Sequence, residues 1–162
     1  EANMWNDPHA ADRVFGAGWK LTMVGLDVTH QVVTELALFE RIAQRHRHVA
    51  TDTLHHAVTF YCTFYSGLHK HLSQQPGCFA HDLLALIYLV RPDLFQLESG
   101  VVRVATEGLA QGQTILNRRS FIHYPQTGWA QDMPRTDVCM QVDAPACVRL
   151  FEETLMASWL AP

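Results

Sequence analysis

The chain has 162 residues, a formal net charge of −4, and apolar and charged fractions of 48% and 17%, the composition of one globular domain with a real core. The negative balance and the lack of any Lys/Arg stripe exclude an electrostatic nucleic-acid binder. The longest apolar run, residues 83–90, is far shorter than the roughly 20 residues a membrane-spanning helix needs.

Asp7-Pro8 reads as a helix start, with Asp as cap, Pro at the first helical position, and Ala10, Ala11, Val14 and Phe15 at helical spacing. Gly16 and Gly18 stop it. Residues 21–26 (LTMVGL) form a short apolar run that fits a strand buried on both faces. Thr29 is expected to cap a second helix, whose stripe is Val32, Val33, Leu36, Phe39 and Ile42. Arg45-His46-Arg47-His48 reads as an exposed turn. A third helix is expected from Asp52, through Leu54, Val58, Tyr61, Tyr65, Leu68 and Leu72, until the loop chemistry of Gln74-Gln75-Pro76-Gly77.

His81-Asp82 opens a strongly apolar helix over residues 83–90, closed by Arg91-Pro92. Residues 101–105, 113–116 and 138–142 are strand candidates, and residues 120–134 read as loop. Asp143 and Pro145 start a last amphipathic helix through Val148, Leu150, Phe151, Leu155 and Trp159. Helices alternating with short buried strands argue an α/β fold with a mixed, largely parallel sheet flanked by helices, in a single domain over residues 1–162. Cys62, Cys78, Cys139 and Cys147 form no CxxC pair and read as buried small hydrophobes in a reducing compartment, the cytoplasm.

Four features bear on chemistry. His81-Asp82 follows a Gly-containing loop and opens a helix, where free amides orient polar groups. The imidazole can move a proton near neutral pH, and the carboxylate can bind a hard cation. An Asp there also serves as an ordinary helix cap, and a bare dipeptide does not choose between the two. Glu1 and Asn3 could hydrogen-bond sugar hydroxyls, or could be solvated terminal residues. Tyr61 and Tyr65, one turn apart, fit a core pair; Tyr61 is expected in the core, and Tyr65 as core or stacked on a flat ring. His46, His48, His55, His56, His69 and His71 crowd one segment, but no second His or Cys lies at i+3 or i+4 from His55, so zinc spacing is missing.

Taken in order, these segments resemble one family. EANMWNDPHAA is similar to the ExNxxxDPxAA segment of the inosine-uridine nucleoside hydrolases. LTMVGLDVTHQVV, HDLLALIYLVRPDLF, the region 107–116 and VDAPACVRLFEETL resemble the segments that follow it there. The resemblance implies hydrolysis of the N-glycosidic bond of ribonucleosides to ribose and free base. It implies that Glu1 and Asn3 hold ribose hydroxyls, that His81 assists departure of the base, and that Asp82 is a ligand of a calcium ion that orients water. Leu83 departs from the Pro or small residue common after His-Asp in the family.

The family's N-terminal DxDxxxDD cluster is absent from the sequence. One carboxylate cannot satisfy calcium, which takes about six to eight oxygens. The chain is therefore expected to be the C-terminal portion of a nucleoside hydrolase-like domain, with an incomplete sheet and site. The expected partners are a nucleoside substrate, the missing N-terminal half and further copies of itself. The isolated chain is expected to be inactive. The alternative is a catalytically inactive fragment acting as an interaction or assembly module.

Overall fold

The computed structural model describes residues 1–118, 129 and 132–157. The described elements in chain order are helices α1 (Ala2–Asn6) and α2 (Pro8–Phe15), strand β1 (Thr22–Met23), helix α3 (Leu26–Thr29), strand β2 (Val33–Glu35), helices α4 (Leu36–Arg45), α5 (Val49–Leu68) and α6 (Lys70–Gln74), strand β3 (Gly77–Phe79), helix α7 (His81–Val90), strands β4 (Phe95–Val104), β5 (Thr114–Asn117) and β6 (Thr136–Val142), and helix α8 (Ala144–Met156). The chain divides into two compact units, Glu1–Val28 with Phe95–Gln141 and Thr29–Leu94 with Val142–Pro162.

The first unit is built on a mixed sheet of order β1-β6-β4-β5. β1 runs parallel to β6, with Thr22 opposite Asp137 and Met23 opposite Val138. β4 and β5 form an antiparallel ladder from Val101 opposite Asn117 to Val104 opposite Thr114. Phe15, Val102, Val104 and Val138 make its core, with Met4, Ala11, Leu21, Met23, Leu116 and Met140 packed against it. The start of α2 is the one the sequence specifies: Asp7 accepts the Ala10 amide at 2.9 Å and Pro8 occupies the first turn. From α2, Asp12 reaches β4. Its carboxylate takes Arg103 Nε at 2.7 Å, Arg103 Nη2 at 2.6 Å and the Val104 amide at 2.9 Å.

Residues 21–26 do not form one strand. Only Thr22 and Met23 pair with β6, and the chain turns at Gly25 into the short helix α3. A Cβ on Gly25 would lie 2.8 Å from Met23 Cε and 2.9 Å from Glu1 Oε1, so a side chain here would push both of these side-chain ends aside.

The second unit packs helices round a small antiparallel pair, β2 with β3, in the register Val33 to Phe79 and Glu35 to Gly77. Thr29 ends α3 instead of capping a helix, and α4 begins only at Leu36. The reason is local and tertiary together. Val32, Val33 and Thr34 are all β-branched, which lowers their helix propensity, and residues 77–79 offer them a partner strand. Gly77 is required there, because a Cβ would lie 2.9 Å from the Thr34 carbonyl oxygen. Leu38, Phe39, Ile42, Val58, Cys62, Tyr65, Leu72, Cys78 and Phe79 form the core, and Val148, Phe151 and Leu155 of α8 pack against it. An Arg41–Glu152 ion pair at 2.8 Å joins α4 to α8; both groups are solvated, so it contributes at most about 1 kcal/mol.

Three further expectations are revised. The 45–48 segment is not wholly exposed, since His46 is buried. α5 starts at Val49, three residues before Asp52, because His48 caps it: its ring accepts the Ala50 amide at 3.1 Å while Thr51 Oγ1 accepts the His48 amide at 3.3 Å. β4 begins at Phe95, well before residue 101. All four cysteines are buried. Most of the loop expected at 120–134, and Trp159 in the last helix, lie outside the described residues.

His46 Nε2 is buried without a hydrogen-bond partner among the described residues. An orphaned buried polar atom costs about 1–3 kcal/mol, and replacing it by an apolar group of similar shape removes that cost. His46→Leu is therefore expected to leave thermal stability unchanged or to raise the Tm, as read by calorimetry. A fall of 5 °C or more, beyond what about 1 kcal/mol causes in a chain of this size, would show that His46 has a partner.

Candidate functional site

In the second unit, α7 presents His81 and Asp82 as its first two residues. The residue ahead of them, Ala80, is the cap position and supplies no side-chain bond, so the helix-cap use of Asp82 is not realised. Asp82 is exposed in the first turn, where a negative charge suits the helix dipole. Behind it α7 is held by apolar burial, with Leu84 fully buried and Ile87 nearly so.

His81 is gripped at both ring nitrogens. Thr29 Oγ1 lies 2.7 Å from Nδ1, and the Tyr65 hydroxyl lies 2.9 Å from Nε2. Thr29 is the last residue of α3 and Tyr65 sits late in α5, so three helices converge on one imidazole. Phe79 and His30 pack beside the ring, with centroids 5.8 Å and 5.4 Å away.

Tyr65 is buried, and its ring meets Phe79 edge-on at 5.2 Å. Its hydroxyl also lies 3.2 Å from that of Tyr61. Burial first, and then the Tyr61 hydroxyl, raise the Tyr65 phenol above its ordinary value, so it stays protonated throughout the neutral range. Tyr61, expected in the core, is 38% exposed: the inward face of α5 carries Val58, Cys62 and Tyr65, and Tyr61 lies at its edge.

In the first unit, Glu1 is half-buried and precedes α1. Its Oε1 accepts the Leu26 amide at 2.8 Å, so the carboxylate is fixed against the start of α3 across 25 residues of sequence. Asn3 lies exposed on α1. The structure thus groups His81, Asp82 and Tyr65 in one unit and Glu1 and Asn3 in the other. Thr29 was missed as a site residue. It reads in sequence as a helix cap, and 52 residues separate it from His81.

Among the described residues no three His, Cys, Asp or Glu side chains converge as a metal would need. Asp82 alone offers one carboxylate, so the described residues do not by themselves fit a calcium ion. The His-rich segment assembles no such site among them either. No helix among the described residues is long and apolar enough to cross a membrane.

The profile of the family described as "Inosine-uridine preferring nucleoside hydrolase" matches residues 1–149. The chain belongs to this family. Among relatives, "Probable uridine nucleosidase 2" of Arabidopsis thaliana is 32% identical over 161 residues, 98% of this chain and 47% of that protein. "Non-specific ribonucleoside hydrolase RihC" of Escherichia coli is 37% identical over 118 residues, 72% of this chain and 36% of that protein. Among solved structures, "Plant nucleoside hydrolase - PpNRh1 enzyme" superposes with a TM-score of 0.84 at 30% identity, covering 97% of this chain and 48% of the other. "Purine-Preferring Ribonucleoside Hydrolase from Gardnerella vaginalis" gives 0.79 at 30%, covering 99% and 46%. The nucleoside hydrolase fold is therefore present, and the chain spans about half the length of the curated relatives it matches.

Proposed function

We propose that the full-length protein carrying this chain hydrolyses the N-glycosidic bond of ribonucleosides, releasing ribose and free base. The carrying observation is that a histidine at the family's His-Asp position is held at both ring nitrogens, in a chain the family profile matches almost throughout. In the reaction the bond between C1′ and the base nitrogen breaks and its electron pair leaves with the base. Water adds its oxygen to C1′, and a proton must reach the base. His81 is the group suited to manage that proton near neutral pH. Glu1 and Asn3 would bind ribose hydroxyls. The Leu26 amide takes Glu1 Oε1, so Oε2 is the oxygen left for the sugar. Tyr65, considered as a stacking surface for the base, is better supported as a partner of His81, because it is buried and its hydroxyl is spent on that ring.

Asp82 would be one ligand of a calcium ion. The remaining ligands would have to come from outside the described residues. The four buried thiols fit a reducing compartment such as the cytoplasm.

A second reading, an inactive assembly module, draws on apolar side chains left uncovered: Phe60, Phe64 and Leu68 on α5, and Leu86, Leu89 and Val90 on α7. Rates of base release from uridine, cytidine, inosine and adenosine by the full-length protein separate the two. Release from at least one of them is the expected result. No release from any, by a folded protein supplied with calcium, would overturn the hydrolase reading in favour of the second.

A further inference from the structure

We infer that Thr29 and Tyr65 are positioning residues for His81, a two-hydroxyl clamp that fixes the imidazole in space while leaving it free to change its protonation state. The role in turnover rests on the hydrolase reading above; the clamp itself does not.

The geometry requires something of this kind. Thr29 Oγ1 is 2.7 Å from Nδ1 and the Tyr65 hydroxyl 2.9 Å from Nε2, and Thr29 and Tyr65 are 1% and 8% exposed. A hydroxyl both donates and accepts, whereas a carboxylate only accepts. A carboxylate at Nδ1 would lock a proton there and favour the cation. A hydroxyl imposes neither. In neutral His81 one hydroxyl donates to the bare nitrogen and the other accepts from the N–H. In the imidazolium both accept. Passing between these states needs only rotation of the donating hydroxyl about its C–O bond as its ring nitrogen takes up or releases a proton, with no movement of the ring.

Other contacts resist movement of the ring itself. Phe79 is 3% exposed and packs beside it, with interplanar angle 35°. His30 stands 5.4 Å from it on the exposed side. Both anchors are held independently of α7: Thr29 belongs to α3, and Tyr65 is wedged between Phe79 and Phe64 and bonded to Tyr61. Tyr65 remains a phenol at neutral pH, so it never becomes an acceptor-only phenolate.

Two measurements test the clamp. The first is free of activity: ¹⁵N spectra of the two His81 ring nitrogens in the ligand-free full-length protein. Thr29→Val should shift the Nδ1 resonance and Tyr65→Phe the Nε2 resonance, while Thr29→Ser, which keeps the hydroxyl, should leave both near their wild-type positions. If neither Thr29→Val nor Tyr65→Phe moves a His81 nitrogen, the clamp does not exist. The second is turnover. Thr29→Val should lower kcat by about 10- to 100-fold with KM little changed, the scale of a lost supporting bond or a displaced catalytic group. Thr29→Ser should recover most of it. Wild-type kcat in Thr29→Val, or an equal loss in Thr29→Ser, would overturn the role in turnover. A wild-type protein that releases no base, yet shows the expected ¹⁵N shifts, would sink the hydrolase reading and leave the clamp standing.

Discussion

His81→Ala in the full-length protein is expected to lower kcat for base release by about 10²–10⁴-fold, the usual contribution of a positioned acid or base. Cleavage leaves an electron pair on a nucleobase nitrogen, and such an anion is a poor leaving group unless a proton arrives as the bond stretches. An imidazole already oriented by Thr29 and Tyr65 can meet that demand when the base takes the place of one hydroxyl at a ring nitrogen, the other hydroxyl still holding the ring. KM should change much less than kcat, because Glu1 and Asn3, and not His81, are the residues proposed to hold the sugar. Initial rates against nucleoside concentration give both constants. A kcat within threefold of wild type would remove His81 from the chemistry. Removing the ring also takes a hydrogen-bond partner from the buried Thr29 and Tyr65 hydroxyls, so the Tm should be recorded alongside, and His81→Gln separates the loss of a hydrogen bond from the loss of a titrating group.

Asp12→Ala is expected to destabilise the protein by about 2–4 kcal/mol, since it strips a partly buried arginine of its counter-charge and leaves the Val104 amide without its acceptor. In a chain of this size that corresponds to a fall in Tm of roughly 4–15 °C. The hydrogen bonds from Arg103, chiefly, hold the Asp12 carboxyl below its ordinary value; burial opposes them, and the Val104 amide and the charges of Arg103 and His9 assist. A group whose folded pKa is depressed contributes stability above its unfolded pKa, here about 3.9, and that contribution disappears as the pH falls through the folded value. The difference in Tm between wild type and Asp12→Ala should thus be full at pH 5–7 and shrink below about pH 4. A gap that stays constant down to pH 2 would mean that the ion pair contributes nothing beyond packing.

Much of the local structure was already written in the chain. Asp7-Pro8 and Asp143 with Pro145 mark helix starts through chemistry confined to three or four residues, and both form as read. The α7 segment is helical because ten residues from His81 carry no breaker and end at Arg91-Pro92. The ordered set of motifs was enough to indicate the nucleoside hydrolase family. It was also enough to single out His81 and Asp82, since a motif survives in sequence when its residues lie side by side.

What the sequence could not hold was anything decided by a distant partner. Val33-Thr34-Glu35 reads as the front of a helix, and becomes a strand because Gly77-Cys78-Phe79 supplies backbone groups to pair with it. Glu1 looks like a solvated terminus until the Leu26 amide is seen to fix it. Asp12 carries no mark of its bond to Arg103, 91 residues away. Tyr65 could have been core or stacking surface, and only the position of His81 gives its hydroxyl a purpose. Thr29 is the sharpest case. Its β-branched, hydroxyl-bearing side chain suits a helix cap, and the chain spends it instead on a histidine 52 residues downstream. By itself the sequence determined the family and the helix starts at Asp7-Pro8 and Asp143, all short-range or pattern-borne properties, and it singled out His81 as the candidate to move a proton. The tertiary structure decided which side chains hold that residue still, because hydrogen bonds between helices depend on distances that composition and spacing do not encode.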